Sequence, residues 1–370
     1  MSPTLMDVVL LTDLNITDSY NPIRLLDQTT HRLNPKSISG WKGYIAEFNK
    51  KIGPVTDREH AAFLNLWLER FVFCGSTLGP TANCQNMAEH LATGGKIPLG
   101  RFLLGATYQL LHKISQKLLS HEPVGHIGGP WWFLQFWLTA YTSRISSLPP
   151  FSNNLFPTDY ADNAAPNTRR CTSLGEALAV VPGAKQSAER LGGWFKVFYY
   201  GPHAELTTWC LFDFLEGFEI PFLFRPEEPL ADPTSVKILV SCISPCLLPF
   251  RIPSSRSPSI SYEFYNPSAC ARQLGFGQLP IGLFFTDKLR ARVATNNGLE
   301  YNRASNLTSG LSLGDFADLE LRPSSTQLFS RWWREWCKHL FHLKASAHLG
   351  PLDLPISDTE VNIKNTFIFI

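Results

Sequence analysis

The sequence predicts a mainly α-helical protein, an irregular helical domain with a minor β hairpin or small sheet. Two observations carry this prediction. Helix-start patterns precede several long segments in which apolar residues recur every three or four positions. Only the region around residues 247–265 alternates in the manner of a strand. Of the 370 residues, 44% are hydrophobic and 17% charged, which is enough apolar material for a sizeable core. Because the helical pattern stops near residue 344, we expect one domain over residues 1–343 and a disordered tail over residues 344–370.

The first two predicted helices lie in the N-terminal part of the chain. Val8 to Leu11 form an apolar first helix. Thr56 and Glu59 have the spacing of a capping box, in which the hydroxyl accepts an N–H bond and the carboxylate reaches back. The helix that follows should end near Cys74–Gly75, where glycine permits a left-handed cap. Its residues at three- and four-residue steps predict a largely apolar face made of Phe63, Leu66, Trp67, Arg70 and Phe71.

Three further helices follow from the same signals. A long helix from Leu99 to Leu119 places Lys113 and Lys117 off an apolar stripe made of Phe102, Leu103, Ala106, Leu110, Ile114 and Leu118. The run from Trp131 to Leu138 is shorter than the about 20 apolar residues that cross a bilayer, and it is predicted to be a central core helix. Ser324 and Gln327 form another capping-box pattern ahead of a tryptophan-rich helix.

Strand and loop signals occupy the remaining segments. Residues 261–265 alternate, and residues 247–252 can pair with them across the polar stretch 253–259. Residues 146–167 and 225–233 are rich in proline and are predicted to be loops.

Charge and cysteine usage limit the classes of protein. The chain has 33 Lys and Arg and 31 Asp and Glu, a net charge of +2, so charge does not indicate nucleic-acid binding. The densest basic cluster, Lys288, Arg290 and Arg292, is interpreted as a solvated helix face. Eight scattered cysteines and the absence of a basic, apolar opening segment favour reduced thiols in a cytosolic or nuclear protein that is not secreted.

Searches for chemistry yield no catalytic, cofactor-binding or metal-binding residue. The sequence has no glycine-rich phosphate loop. Cys242 and Cys246 are four residues apart without a second pair at zinc-finger spacing. His339 and His342 share one face of the helix, but Cys337 lies about 160° from His339 on a helical wheel. The three residues therefore do not form a zinc site. We therefore predict a protein that is not an enzyme and holds no cofactor or metal.

Several stretches, taken in order, resemble the plant mobile domain family. The most specific is the Gly-Gly-Pro that precedes two paired tryptophans. The stretches that carry the resemblance are Pro3-Thr4-Leu5-Met6-Asp7-Val8, Glu59-His60-Ala61-Ala62-Phe63-Leu64, Pro98-Leu99-Gly100, Gly128-Gly129-Pro130-Trp131-Trp132, Tyr262-Glu263-Phe264-Tyr265-Asn266-Pro267, Ala271-Arg272-Gln273-Leu274-Gly275 and Trp332-Trp333.

The resemblance implies a transposon-associated protein. Host relatives called MAIN-like act in the nucleus in meristem maintenance, silencing and genome stability. The resemblance therefore implies a non-enzymatic nuclear interaction module that binds protein partners and is not associated with a membrane. The alternatives are a nucleic-acid-binding accessory protein of a mobile element and an uncharacterised enzyme. The family is also called aminotransferase-like, but no motif here identifies a pyridoxal-phosphate lysine.

Family members continue upstream of the Pro-Thr-Leu motif, so the chain is expected to lack an N-terminal part and to leave Leu5 to Leu14 incompletely covered. The alternative is that the apolar residues 367–370 cover this helix.

The motif residues are expected to have structural roles. Pro130 suits the first turn of a helix, and Trp131, Trp132 and Trp137 are predicted to be buried. Arg272 and Gln273 are predicted to form a buried hydrogen-bonding pair that holds Tyr265 or a loop carbonyl, with a ligand contact as the alternative. The full set of motif residues is Gly128, Gly129, Pro130, Trp131, Trp132, Trp137, Tyr265, Pro267, Arg272, Gln273, Gly275, Trp332 and Trp333.

Overall fold

The computed structural model describes a little under half of the chain. The described residues are 2–18, 40–49, 53–142, 233–251, 260–267, 292–295 and 298–309, with the single residues Pro22, Leu25, His31, Leu33, Cys270 and Gln273. Within them the chain forms eight α-helices, one π-helical turn and one three-stranded antiparallel sheet. The predicted mainly helical class with a small sheet is confirmed.

The elements follow one another as helices first, then the sheet, then a last helix. The helices are α1 (Leu5–Thr12), α2 (Gly40–Phe48), α3 (Asp57–Trp67), α4 (Gln85–Ala92), α5 (Leu99–Leu119), α6 (Trp131–Thr142), α7 (Pro233–Ile243) and α8 (Gly298–Ser309). The strands are β1 (Cys246–Arg251), β2 (Ile260–Tyr265) and β3 (Arg292–Thr295). α3 runs directly into the π-helical turn Leu68–Val72. The limits of α5 are those that the apolar stripe predicted.

Helix α1 is held by a complete capping box and a buried apolar face. The Thr4 hydroxyl accepts from the Asp7 N–H and the Asp7 carboxylate accepts from the Thr4 N–H. Leu5 and Val8 are 0% exposed and Leu11 is 1% exposed, because α5, α6 and α7 pack against this helix. Of the residues expected to be incompletely covered, Leu5, Val8 and Leu11 are thus buried, whereas Val9, Leu10 and Leu14 are only partly buried.

Helix α3 buries a different face from the predicted one. Ala61, Ala62 and Asn65 are buried where α2 and α4 pack, whereas Phe63 is 60% exposed and Phe71 56% exposed. Alanine side chains are small and let neighbouring helices approach closely. A face predicted from the positions of large apolar residues alone therefore omits them. The π-helical turn adds a residue to the repeat, so positions after residue 67 rotate away from the 3.6-residue frame. The left-handed residue that follows is Cys74, with φ 47°, and not Gly75.

Helix α6 is one-sided rather than buried all round. Phe133, Leu134 and Trp137 are buried, while Gln135 is exposed and Trp131 is 44% exposed. The prediction that Trp131 is a core residue is wrong: it is the first residue of the helix, on the same side as Gln135, one turn away. On the predicted stripe of α5, Phe102, Leu103 and Leu110 are buried but Leu118 is 40% exposed.

The predicted hairpin is present and carries a third strand. β1 pairs with β2 in antiparallel register, with Cys246 opposite Tyr265 and Leu248 opposite Glu263. β3 pairs with the other edge of β2. Arg292 begins β3, so its assignment to a helix face is wrong; Lys288 and Arg290 lie outside the described residues.

The sheet lies directly on helix α5. A Cβ atom added at Gly105 would sit 2.7 Å from the carbonyl oxygen of Pro249 on β1, so the helix and the strand meet backbone to backbone. Pro233, predicted to belong to a loop, is the first residue of α7. Proline suits that position because the first helical N–H has no intrahelical acceptor.

Several predictions fall outside the described residues. They concern the loop at 146–167, most of the loop at 225–233, the tryptophan-rich helix after Ser324 and the tail at 344–370. Among the helices that the structure describes, none combines the length and apolar character needed to cross a membrane.

Candidate functional site

The N-terminal motif lies in a buried polar cluster, here called the N-terminal junction, made of Ser2, Thr4, Asp7, Tyr108, Trp137, Tyr265 and Gln273. Its centre is Asp7, which is 1% exposed. One carboxylate oxygen, Oδ2, accepts three hydrogen bonds: from the Thr4 N–H at 2.7 Å, from the Thr4 hydroxyl at 2.9 Å and from the Trp137 indole N–H at 3.2 Å. Hydrogen bonds to a charged acceptor are the stronger ones, so this carboxylate joins α1 to α6.

Side chains of distant segments hold the main chain ahead of α1. The Gln273 amide makes two bonds to Ser2, accepting from its N–H at 2.9 Å and donating to its carbonyl at 2.8 Å. The Tyr108 hydroxyl on α5 donates to the carbonyl of Pro3 at 2.8 Å. Gln273 is 4% exposed and holds a loop carbonyl, which is one of the two roles predicted for it.

The sheet and helix α7 close the other side of the junction. The Tyr265 hydroxyl donates to the carbonyl of Cys242 at 2.8 Å, so its partner is the end of α7 rather than Gln273. Burial raises the pKa of the Tyr265 hydroxyl and the Cys242 thiol well above their usual values. Burial likewise raises the pKa of Cys270 to about 12. These thiols are protonated at neutral pH and are poor nucleophiles and poor metal ligands in this state.

The cysteine pair that the sequence suggested as a metal-like cluster lies in this region. Cys242 is the next-to-last residue of α7 and Cys246 begins β1, and both are buried free thiols. In the part of the chain that the structure describes, no three His, Cys, Asp or Glu residues are placed to hold a metal ion. Cys337, His339 and His342 lie outside that part.

A second polar cluster, here called the Glu69 cluster, consists of the buried residues Tyr44, Asn65 and Glu69 with the partly buried Thr81 and the exposed Asn83. The Glu69 carboxylate accepts from the Thr81 N–H at 2.8 Å, the Thr81 hydroxyl at 2.5 Å and the Asn83 N–H at 3.1 Å. The Asn65 amide donates to the Thr81 carbonyl at 3.0 Å. Burial is the main influence on Glu69 and raises its pKa, although the bonds from Thr81 act in the opposite direction. Burial also raises the pKa of Tyr44 to about 12.

The Gly-Gly-Pro motif forms a corner, residues 128–132, against the chain that follows the π-helical turn. The Gly129 N–H donates to the Cys74 carbonyl at 2.8 Å. A Cβ atom at Gly128 would lie 2.5 Å from the Cα atom of Ser76, so only glycine permits this approach.

The two tryptophans at this corner differ in environment. Trp132 is half-buried and donates its indole N–H to the Val72 carbonyl at 3.0 Å. Trp131 donates to the Ile127 carbonyl at 2.7 Å while its ring stays accessible to solvent.

The predicted motif residues therefore separate into three groups. Trp137, Tyr265 and Gln273 meet in the N-terminal junction, and Pro267 is buried beside Cys270, whose thiol donates to its carbonyl. Gly128 to Trp132 form the corner. The third group lies outside the described residues and comprises Arg272, Gly275, Trp332 and Trp333.

Sequence reasoning missed the residues at the centre of both clusters. Asp7 was quoted only as part of a motif, although Thr4 and Asp7 have capping-box spacing that marks a helix start. Glu69 and Asn65 are polar residues four apart within an apolar helix pattern, a spacing that places them on one face. Tyr108 has no local signal that distinguishes it.

These observations define a mainly helical domain with a small sheet, in which the most distinctive sequence motifs bind to one another. The family model described as plant mobile domain matches residues 1–177. This part, a little under half of the chain, is therefore similar to the plant mobile domain family, in agreement with the resemblance that the motifs indicate. Comparisons with curated proteins and with solved structures gave no significant match.

Proposed function

We propose that this protein is a non-enzymatic interaction module that acts in the nucleus. The observation that carries the proposal is that the motif residues bind other parts of the same chain. Asp7 binds Trp137, Gln273 binds Ser2 and the Gly129 N–H binds Cys74. Because these polar groups hold parts of the same chain together, we infer that they stabilise the fold and that the protein binds its partners through surface residues.

The surface candidate is the corner around Trp131. Its indole N–H is fixed by the Ile127 carbonyl and the residue is 44% exposed, so the ring is held in a defined orientation at the surface. Tryptophan is enriched among the residues that dominate protein–protein binding, because a rigid ring buries a large area at little entropic cost. We propose that Trp131 contacts a protein partner in the processes that the family resemblance implies, which are meristem maintenance, silencing or genome stability.

The test is affinity capture from nuclease-treated plant nuclear extract, comparing the full-length wild type with Trp131→Ala. Phe63→Ala is the matched control, because Phe63 is also an exposed aromatic residue but lies on α3. We expect Trp131→Ala to lose specific partners that Phe63→Ala retains, with the melting temperature unchanged.

Other outcomes of this capture experiment contradict the proposal. If the wild type and both variants capture the same proteins, Trp131 is not part of the binding surface. If the wild type captures proteins only from a parallel extract that is not treated with nuclease, the protein is a nucleic-acid-binding accessory factor instead. Turnover of a small molecule by the purified chain would assign it to the enzymes.

A further inference from the structure

Residues 74–83, here called the strap, begin and end at the same buried residue. At the start, the Gly75 N–H donates to the main-chain carbonyl of Glu69 at 3.2 Å. At the end, Thr81 and Asn83 donate to the carboxylate of Glu69. Glu69, a residue of the π-helical turn, thus binds both ends of the strap. Such turns within α-helices occur often at functional positions.

The strap also supports the Gly-Gly-Pro corner. Near its start, the carbonyl of Cys74 accepts from Gly129, and the backbone of Ser76 lies against Gly128. The indole of Trp132 donates to the carbonyl of Val72, two residues before the strap. The corner that carries Trp131 therefore rests on a segment that Glu69 fastens.

Two features indicate that the strap can separate from the body. Residues 75–78 are solvent-exposed, with Leu78 97% exposed, and Pro80 is the only buried residue of the strap, so few side-chain contacts resist its movement. Cys74, at the start of the strap, has φ 47°, a left-handed conformation that costs energy for a non-glycine residue.

We propose that the strap opens and closes as one unit, that Glu69 is its fastening, and that opening loosens the corner at residues 128–132. Tyr44 on α2 and Cys84 at the start of α4 are the titratable groups that interact electrostatically with Glu69. Opening replaces the hydrogen bonds of the carboxylate with water and frees the Thr81 carbonyl from Asn65. The consequence for binding rests on the proposed function of Trp131, whereas the movement itself does not.

Hydrogen–deuterium exchange of the full chain, resolved by peptide, tests the proposal without a partner. The variants are Glu69→Gln, which places an amide donor among the strap's own donors, and Thr81→Val, which removes only the hydroxyl. Glu47→Gln on α2 is the control, since Glu47 is exposed. We expect Glu69→Gln to accelerate exchange about tenfold or more in peptides that cover residues 74–84 and also in those that cover 128–132. Thr81→Val should accelerate the same peptides by a smaller factor, and the exchange of α5 should not change.

Three results would overturn this proposal. Acceleration confined to residues 81–84 would mean that the two ends of the strap move independently. Equal acceleration of α5 would mean that Glu69 supports the whole fold. If Glu69→Gln does not fold, Thr81→Val decides, and wild-type exchange at residues 128–132 in that variant refutes the coupling. These results are independent of the capture experiment on Trp131, so either proposal can fail alone.

Discussion

The bond between Trp137 and Asp7 can be measured with a double-mutant cycle of Asp7→Ala and Trp137→Phe. The structure places the indole N–H 3.2 Å from Oδ2 of a carboxylate that is 1% exposed. Hydrogen bonds to charged groups contribute about 1.5–3 kcal/mol, and a distance at the long end of the normal range favours the lower value. We therefore expect a coupling energy of about 1.5 kcal/mol. Trp137→Phe also leaves a cavity, and Asp7→Ala leaves the Thr4 donors without their acceptor, but both costs cancel in the cycle.

The assay is urea unfolding of the wild type, both single variants and the double variant, followed by circular dichroism. Trp132→Phe combined with Asp7→Ala is the control cycle, because the Trp132 indole donates to Val72 and not to Asp7. The control pair should be additive within about 0.5 kcal/mol. If the Asp7 and Trp137 pair is equally additive, the carboxylate does not join α1 to α6 and the account of the N-terminal junction fails.

Three further predictions concern the corner and the Glu69 cluster. Gly128→Ala puts a Cβ atom 2.5 Å from the Cα atom of Ser76, so unfolding in urea should show a loss of about 1–3 kcal/mol, and a wild-type midpoint would contradict the close approach. Burial raises the pKa of Glu69 above 4.5, so its contribution to stability is complete below pH 4.5 and is lost as the pH rises through the raised pKa. Glu69→Gln should flatten the pH dependence of the unfolding free energy in that window, measured by urea titrations from about pH 4 to about pH 7, and an unchanged slope would refute the assignment. Trp132→Ala should cost about 3 kcal/mol by leaving a cavity, whereas Trp131→Ala should change stability by less than about 0.5 kcal/mol; calorimetry showing equal losses would mean that Trp131 is a core residue.

Sequence patterns predicted correctly those elements whose structure depends mainly on residues close together in the chain. The limits of α5 follow from an unbroken apolar stripe, and the pairing of residues 246–251 with residues 260–265 follows from alternation across a polar turn. The buried face of α3 could not be predicted, since alanines carry its packing and a π-helical turn changes the period after Trp67. Position on the surface, rather than residue type, separates the exposed Trp131 from the buried Trp137.

The site could be predicted only as separate motifs. Resemblance identified Asp7, Trp137 and Gln273 as members of three motifs, but 130 residues separate Asp7 from Trp137 in the chain. Spacing within a motif predicts local geometry such as the capping box at Thr4, and it carries no information about which distant segment supplies a partner. Glu69 belongs to no quoted motif, so only its contacts with the strap reveal its role.

The pairing of Ser2 with Gln273 has a consequence for synthesis of the protein in the cell. These residues are 271 positions apart, so Ser2 meets its partner only after the intervening segment has been translated. At roughly 5–20 residues per second, the ribosome needs roughly 15–50 s to reach that point. During this interval the apolar face of α1 has left the ribosome before α7 and the sheet exist to close over it. We therefore expect this apolar face to stay uncovered for the whole interval, and we expect slow translation to prolong it.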